Sequence, residues 1–324
     1  MFMDYSIETF DLSKHYGSLK AVDRLNLKIK RGEIFGLLGP NGAGKTTAIS
    51  MLCTILPPTS GTAIVNGFDI VKEPAEVRKS IGIVFQQPSV DDLLTGRENL
   101  QMHTLLFRMP REIRKKRIRE VLALVDLENR ADDLVRTYSG GMRRRLELAR
   151  GMMHDPTVLF LDEPTLGLDP QTREHIWEYI LALSKKEKMT ILLTTHYMEE
   201  AELLCDRVGI IDAGRIIALG EPDKLTAQLG GDKIIIRTKN PNIAALEKLE
   251  CVRSMHRRRD MLQIVVEKGG YNLKKILEKA GDVKKVEIKP TNLNDVFLHY
   301  TGRQIREDEP EGGFWQRVMS ERRT

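Results

Sequence analysis

Residues 34–47 read IFGLLGPNGAGKTT, and this stretch decides the fold. Its first five residues are a short apolar run bounded by glycine, the pattern of a strand buried on both faces. Gly39-x-x-x-x-Gly44-Lys45-Thr46 follows, and AISMLCTIL after Thr47 reads as a helix. Strand, glycine-rich loop and helix in that order make a P-loop. The loop runs through Gly39, Pro40, Asn41, Gly42, Ala43, Gly44, Lys45, Thr46 and Thr47. Its glycines let backbone N–H groups turn inward as an anion nest. Lys45 is placed to reach β- and γ-phosphates, Thr46 to put its hydroxyl on Mg²⁺, and the helix N-terminus adds partial positive charge. A chance match of these four positions arises in about one chain in a hundred, and the flanking context lowers that further.

Two more apolar runs, VLFL at 158–161 and ILLT at 191–194, alternate with helical stretches. Continuous runs of this kind predict a mostly parallel sheet covered on both faces. Ligands bind such sheets at the carboxyl ends of the strands, where the chain places Asp162 and Glu163. Asp162 is positioned to hold the metal shell, directly or through water, and Glu163 to orient the attacking water and accept its proton. His196 ends another strand, within reach of the γ-phosphate. Gln86 ends the run 81–85 and is a candidate contact to metal or water, with Gln87 as the alternative.

The whole chain has 324 residues, 41% hydrophobic and 30% charged, which describes a globular protein of about two domains. There is no apolar run of the ~18 residues a membrane span needs, and no secretory pattern opens the chain. Cys53, Cys205 and Cys251 lie far apart without CxxC spacing, so disulfide scaffolds and zinc ribbons are excluded and a reducing compartment is expected. The formal charge of +5 is unevenly spread: residues 231–290 carry 15 Lys+Arg and 8 Asp+Glu, and the rest is slightly acidic. Turn and linker chemistry at 220–231 (GEPDKLTAQLGG) supports a boundary there. Past it the pattern is βαββαβ, with strands at 232–238, 252–258, 261–267 and 283–289 and helices at 243–249 and 271–280, the split βαβ order of ferredoxin-like modules. Before it, residues 89–136 are helical and charged. The helix at 111–125 places Ile113, Ile118, Val121, Leu122 and Val125 near one face, its basic residues forming a solvated side.

YSGGMRRRLELARGMMHDP occupies 138–156. Ser139 is placed to cap the following helix, and Gly140 and Gly141 leave its first N–H groups open as a second anion site. The ordered set GPNGAGKT, FQQP, YSGGM, LFLDEP, LGLDP and TTH resembles the nucleotide-binding subunit of an ABC transporter over about residues 5–224. The resemblance implies that Tyr16, in KHYG, stacks on adenine, and that Gln86 lies in the loop joining the catalytic core to the helical insert. It implies that Ser139, Gly140 and Gly141 address the γ-phosphate bound by the opposite protomer, with Asp169 at the dimer interface. Met142 stands where the common LSGGQ pattern has glutamine and cannot make its polar contact. TNLNDVFLHYTGRQIRE at 291–307 resembles the ATP-binding subunits of daunorubicin-resistance-type exporters.

The expected architecture is an α/β P-loop (ABC ATPase) core over 1–224 with a helical subdomain at about 89–150. A small α+β ferredoxin-like domain follows at 225–300, then a polar tail at 301–324. The expected function is an ATPase, using ATP and Mg²⁺, that dimerises with itself or a related subunit. It would drive a separate membrane permease from the cytoplasmic face, exporting drugs, lipids or other hydrophobic compounds. The alternative is a soluble ABC ATPase acting on nucleic acid or ribosomes. Sustained heptads and a second nucleotide domain, which that alternative favours, are absent, so no nucleic-acid partner is expected.

Overall fold

The computed structural model describes residues 4–302 except 88, 230, 239, 240 and 268, and only the backbone at 186, 187 and 258. The chain divides into two compact units between Leu219 and Gly220.

The first unit contains β1 (Tyr5–Tyr16), β2 (Leu19–Leu25), β3 (Lys28–Lys30), β4 (Ile34–Leu38), α1 (Lys45–Leu52), β5 (Ser60–Val65), β6 (Phe68–Asp69), α2 (Pro74–Ser80) and β7 (Ile81–Val84). It continues through α3 (Gly96–Leu106), α4 (Arg111–Leu124), α5 (Gly140–Gly151), β8 (Val158–Asp162), α6 (Pro170–Glu187), β9 (Thr190–Thr195), α7 (Met198–Leu204), β10 (Arg207–Asp212) and β11 (Arg215–Gly220). One sheet has the order β11-β10-β4-β9-β8-β7, and β10, β4, β9, β8 and β7 run parallel. Every residue of β4, β8 and β9 is buried, as helices on both faces require.

A second sheet, β2-β1-β5-β6 with β3 paired to β1, is antiparallel and was not expected from the sequence. Its main strand, β1, does not alternate cleanly. Asp11 takes a left-handed φ of 47° and the register against β5 shifts between Phe10 and Ser13. Such a bulge breaks the period of two that identifies a half-buried strand. The helical segment is helical as expected, but Ile113 is exposed, whereas Ile118, Val121, Leu122 and Val125 are buried. The apolar stripe of α4 therefore begins one turn later than its periodicity suggests.

The second unit opens with α8 (Pro222–Gln228), so it begins about five residues before the expected boundary at 225. It continues through β12 (Asp232–Arg237), α9 (Ile243–Glu247), β13 (Val252–Arg258), β14 (Met261–Val266), α10 (Gly269–Ala280), β15 (Lys285–Lys289) and α11 (Leu293–Thr301). The sheet order is β13-β14-β12-β15 with antiparallel pairing throughout, the ferredoxin-like arrangement. Ile234, Ile236, Leu262, Ile264 and Ile276 form its core. Asn292 and Asp295 make a reciprocal capping box at the start of α11. The expected tail lies outside the described residues beyond 302. Among the described residues, no helix is long and apolar enough to cross a membrane.

Candidate nucleotide site

Parallel register brings the separate motifs to one edge. Leu38 lies beside Thr195 and Asp162 beside Thr194, and the Gly39 N–H donates to the Thr195 carbonyl at 3.3 Å. The P-loop, the acidic pair and His196 therefore share the carboxyl ends of β4, β8 and β9, where open α/β sheets bind ligands. Gly44, at the N-cap of α1, has φ 107°, and a Cβ there would lie 2.3 Å from the Ala21 carbonyl oxygen. Only glycine suits both the conformation and the close approach.

Lys45 is buried and its Nζ donates to the carbonyls of Gly39 at 2.8 Å and Pro40 at 3.1 Å, with Glu163 Oε1 at 3.3 Å. Burial pulls its pKa below the usual lysine range, and Glu163 opposes that shift. On the other side of Glu163, His196 Nδ1 lies 3.2 Å from Oε2 but is not aligned for a hydrogen bond. Burial pushes the Glu163 carboxyl up, yet His196 and Lys45 together outweigh it, so its pKa falls below the usual range. Glu163 also carries a left-handed φ of 48°, a conformation that costs a non-glycine residue roughly 1–2 kcal/mol. Its N–H is held by both the carbonyl (3.2 Å) and Oγ1 (3.0 Å) of Thr194.

Asp162 Oδ1 accepts from Thr46 Oγ1 at 3.2 Å and Thr194 Oγ1 at 2.5 Å. Burial dominates this carboxyl and raises its pKa, with the two hydroxyls acting against that. A buried carboxylate beside a P-loop hydroxyl fits a divalent cation. Among the described residues, no group of three or more His, Cys, Asp or Glu is arranged to hold a metal alone. Thr46 and Asp162 are the residues that would hold such an ion.

Thr194 escaped the sequence reading. Its single hydroxyl bridges Asp162 and the Glu163 backbone, so it sets the aim of both carboxylates. The available signal was a pair of hydroxyl residues, Thr194 and Thr195, ending a buried strand.

The remaining candidates lie on other elements. Gln86 is half-buried just past β7, whose Val84 pairs with Leu161, and Gln87 is exposed. Tyr16 is half-buried at the end of β1, with Lys14 Nζ 5.4 Å from its ring centre. Ser139 caps α5, accepting the Met142 N–H at 3.2 Å, and with Gly140 it is exposed. Gly141 is buried instead, and a Cβ there would meet Thr172 Cγ2 at 2.4 Å. Its lack of a side chain thus serves packing against α6. Asp169 caps α6 through Thr172 and is exposed.

This arrangement is that of an ATP-hydrolysing cassette, and comparison with known proteins agrees. Residues 22–166 match the ABC transporter family, and residues 220–301 match the C-terminal domain of DrrA1-3-like ATP-binding proteins. The linearmycin resistance ATP-binding protein LnrL of Bacillus subtilis is 39% identical, covering 93% of this chain and 100% of its own. The chain belongs to the ABC transporter ATP-binding family. The daunorubicin resistance ATP-binding protein DrrA3 of Streptomyces coeruleorubidus is 40% identical, covering 94% of this chain and 99% of its own. Among solved structures, cbiO1 of Clostridium perfringens, part of the ABC transporter complex cbiONQ, has a TM-score of 0.65 at 31% identity, covering 70% of this chain and 92% of its own. The cassette MJ0796, solved as a dimer bound to ADP and Pi, has a TM-score of 0.60 at 28% identity, covering 66% of this chain and 98% of its own. This ABC ATPase is thus an ATP-binding subunit of the ABC transporter type.

Proposed function

We propose that two copies of this ATPase close on two ATP molecules at the cytoplasmic face of the membrane and drive export of drug-like or lipid-like hydrophobic compounds. The observation that carries the ATP site is the meeting of Lys45, Thr46, Asp162, Glu163 and His196 at one sheet edge. Lys45 binds the β- and γ-phosphates, exchanging its contact with Glu163 for them. Glu163, held in line by Thr194, orients the attacking water and takes its proton. His196 steadies Glu163 and donates toward the γ-phosphate. Thr46 and Asp162 would hold Mg²⁺, which when bound would supply positive charge to the phosphate oxygens, with Gln86 as a further candidate contact. Tyr16 stacks on the adenine.

The exposed Ser139 and Gly140 cap α5 facing outward, so a second copy is the partner that brings them to a γ-phosphate. Dimeric MJ0796 supports this reading. The export reading is supported by relatives named for linearmycin and daunorubicin resistance and for Nod factor export. Affinity-tagged chain, recovered with detergent-solubilised membranes of its own cells, should retain a multi-span membrane protein that stimulates its ATPase. Full activity with no membrane protein retained would remove the transport role and leave a soluble ATPase.

A further inference from the structure

Two buried charges on α5 take no part in the chemistry above. Arg144 is 7% exposed and has no carboxylate partner among its hydrogen bonds. Its guanidinium instead donates to four backbone carbonyls: Phe85 at 2.6 Å, Pro164 at 2.6 Å, Asp162 at 3.2 Å and Glu163 at 3.1 Å. Glu147, one turn on and 1% exposed, accepts the backbone N–H groups of Ser89 and of Val90, the latter at 2.8 Å, and the Ser89 hydroxyl. Arg150 pairs with Glu147 at 2.9 Å and also donates to the Ser89 carbonyl at 3.0 Å.

These contacts fall in a pattern. Phe85 immediately precedes Gln86, and Ser89 and Val90 follow it, so one helix holds both shoulders of the Gln86 loop, one by a cation and one by an anion. The same cation holds the backbone of both catalytic carboxylates. The N-terminus of that helix is Ser139. A buried guanidinium satisfied by carbonyls at the ends of two strands is a demanding arrangement, because removing any acceptor leaves a desolvated donor. Leu146, Leu148, Ala149 and Gly151 supply the apolar packing of α5.

We propose that Arg144 and Glu147 are positioning residues that tie the Gln86 loop, the Asp162–Pro164 backbone and the Ser139 helix into one moving unit. This rests on the ATPase reading above. A push on the Gln86 loop then shifts Glu163 and Ser139 together, so hydrolysis and closure respond to one displacement. Arg is required at 144 because only a planar five-donor fork spans the carbonyls past the ends of β7 and β8, and a lysine ammonium satisfies one side at a time.

The test uses the full chain with Arg144→Lys, Glu147→Gln and the double variant, measuring kcat, KM, equilibrium ATP affinity and thermal stability. Each single variant should keep ATP affinity within about threefold and lose at least about tenfold in kcat, and the double should lose little beyond the worse single. Parent-like kcat in both singles overturns the proposal, as does a kcat loss matched by lost affinity. A double-variant loss equal to the product of the single losses overturns the linkage. Glu147→Gln is isosteric and neutral, so if Arg144→Lys does not fold, Glu147→Gln alone decides by the same kcat and affinity criteria. Absence of ATPase in the parent chain would instead contradict the ATPase reading itself.

Discussion

Glu163→Gln is expected to abolish ATP turnover, by roughly 10²–10⁴-fold in kcat, the usual contribution of a general base, while ATP binding stays near the parent level. The substitution keeps the side chain's size and the Thr194 contacts, which involve only the residue's backbone N–H. It removes the carboxylate that stands between Lys45 and His196. Since Lys45 no longer has a rival anion in the empty site, affinity for ATP should hold or rise. With bound ATP not consumed, the closed dimer should accumulate. Light scattering after gel filtration, with and without ATP and Mg²⁺, reads this directly. Hydrolysis at the parent rate would show that Glu163 is not the base.

Lys45→Ala has the opposite signature. Nucleotide affinity should fall by about 10–150-fold, from the ~1.5–3 kcal/mol of a charge-assisted hydrogen bond. It should also unbalance Glu163, a buried carboxylate that loses its nearest cation. Equilibrium titration with ATP checks the first effect. A variant that binds ATP as tightly as the parent would place the phosphates elsewhere.

These expectations rest on features of unequal legibility. The P-loop, Asp162, Glu163 and His196 are visible in sequence because each motif sits at the end of a short apolar strand, and parallel register then aligns the ends. The antiparallel sheet is not visible, because β1 pairs with β5 across some fifty residues and the bulge at Asp11 interrupts its alternation. The reason for Gly141 lies on Thr172 of another helix. Arg144 acts on backbone carbonyls far away in sequence, and Thr194 on a carboxylate and an N–H of the neighbouring strand's end, and such contacts leave no spacing pattern. Arg144 reads as one more basic residue in MRRR, yet burial holds its pKa down to about 10 and places it at the centre of the site's framework.

In the proposed dimer each ATP site is completed by Ser139 and Gly140 of a second copy, and mixing two differently disabled chains puts that to the test. Gly140→Asp puts a negative charge where the γ-phosphate of the partner would lie. The added Cβ meets only Leu168, at 3.6 Å, so the fold should tolerate it. Lys45→Ala and Gly140→Asp chains should each be inactive alone. Mixed in equal amounts, they can form dimers with one intact site, and turnover should return to at most about a quarter of the parent rate. A mixture no more active than its two components apart would contradict the shared site.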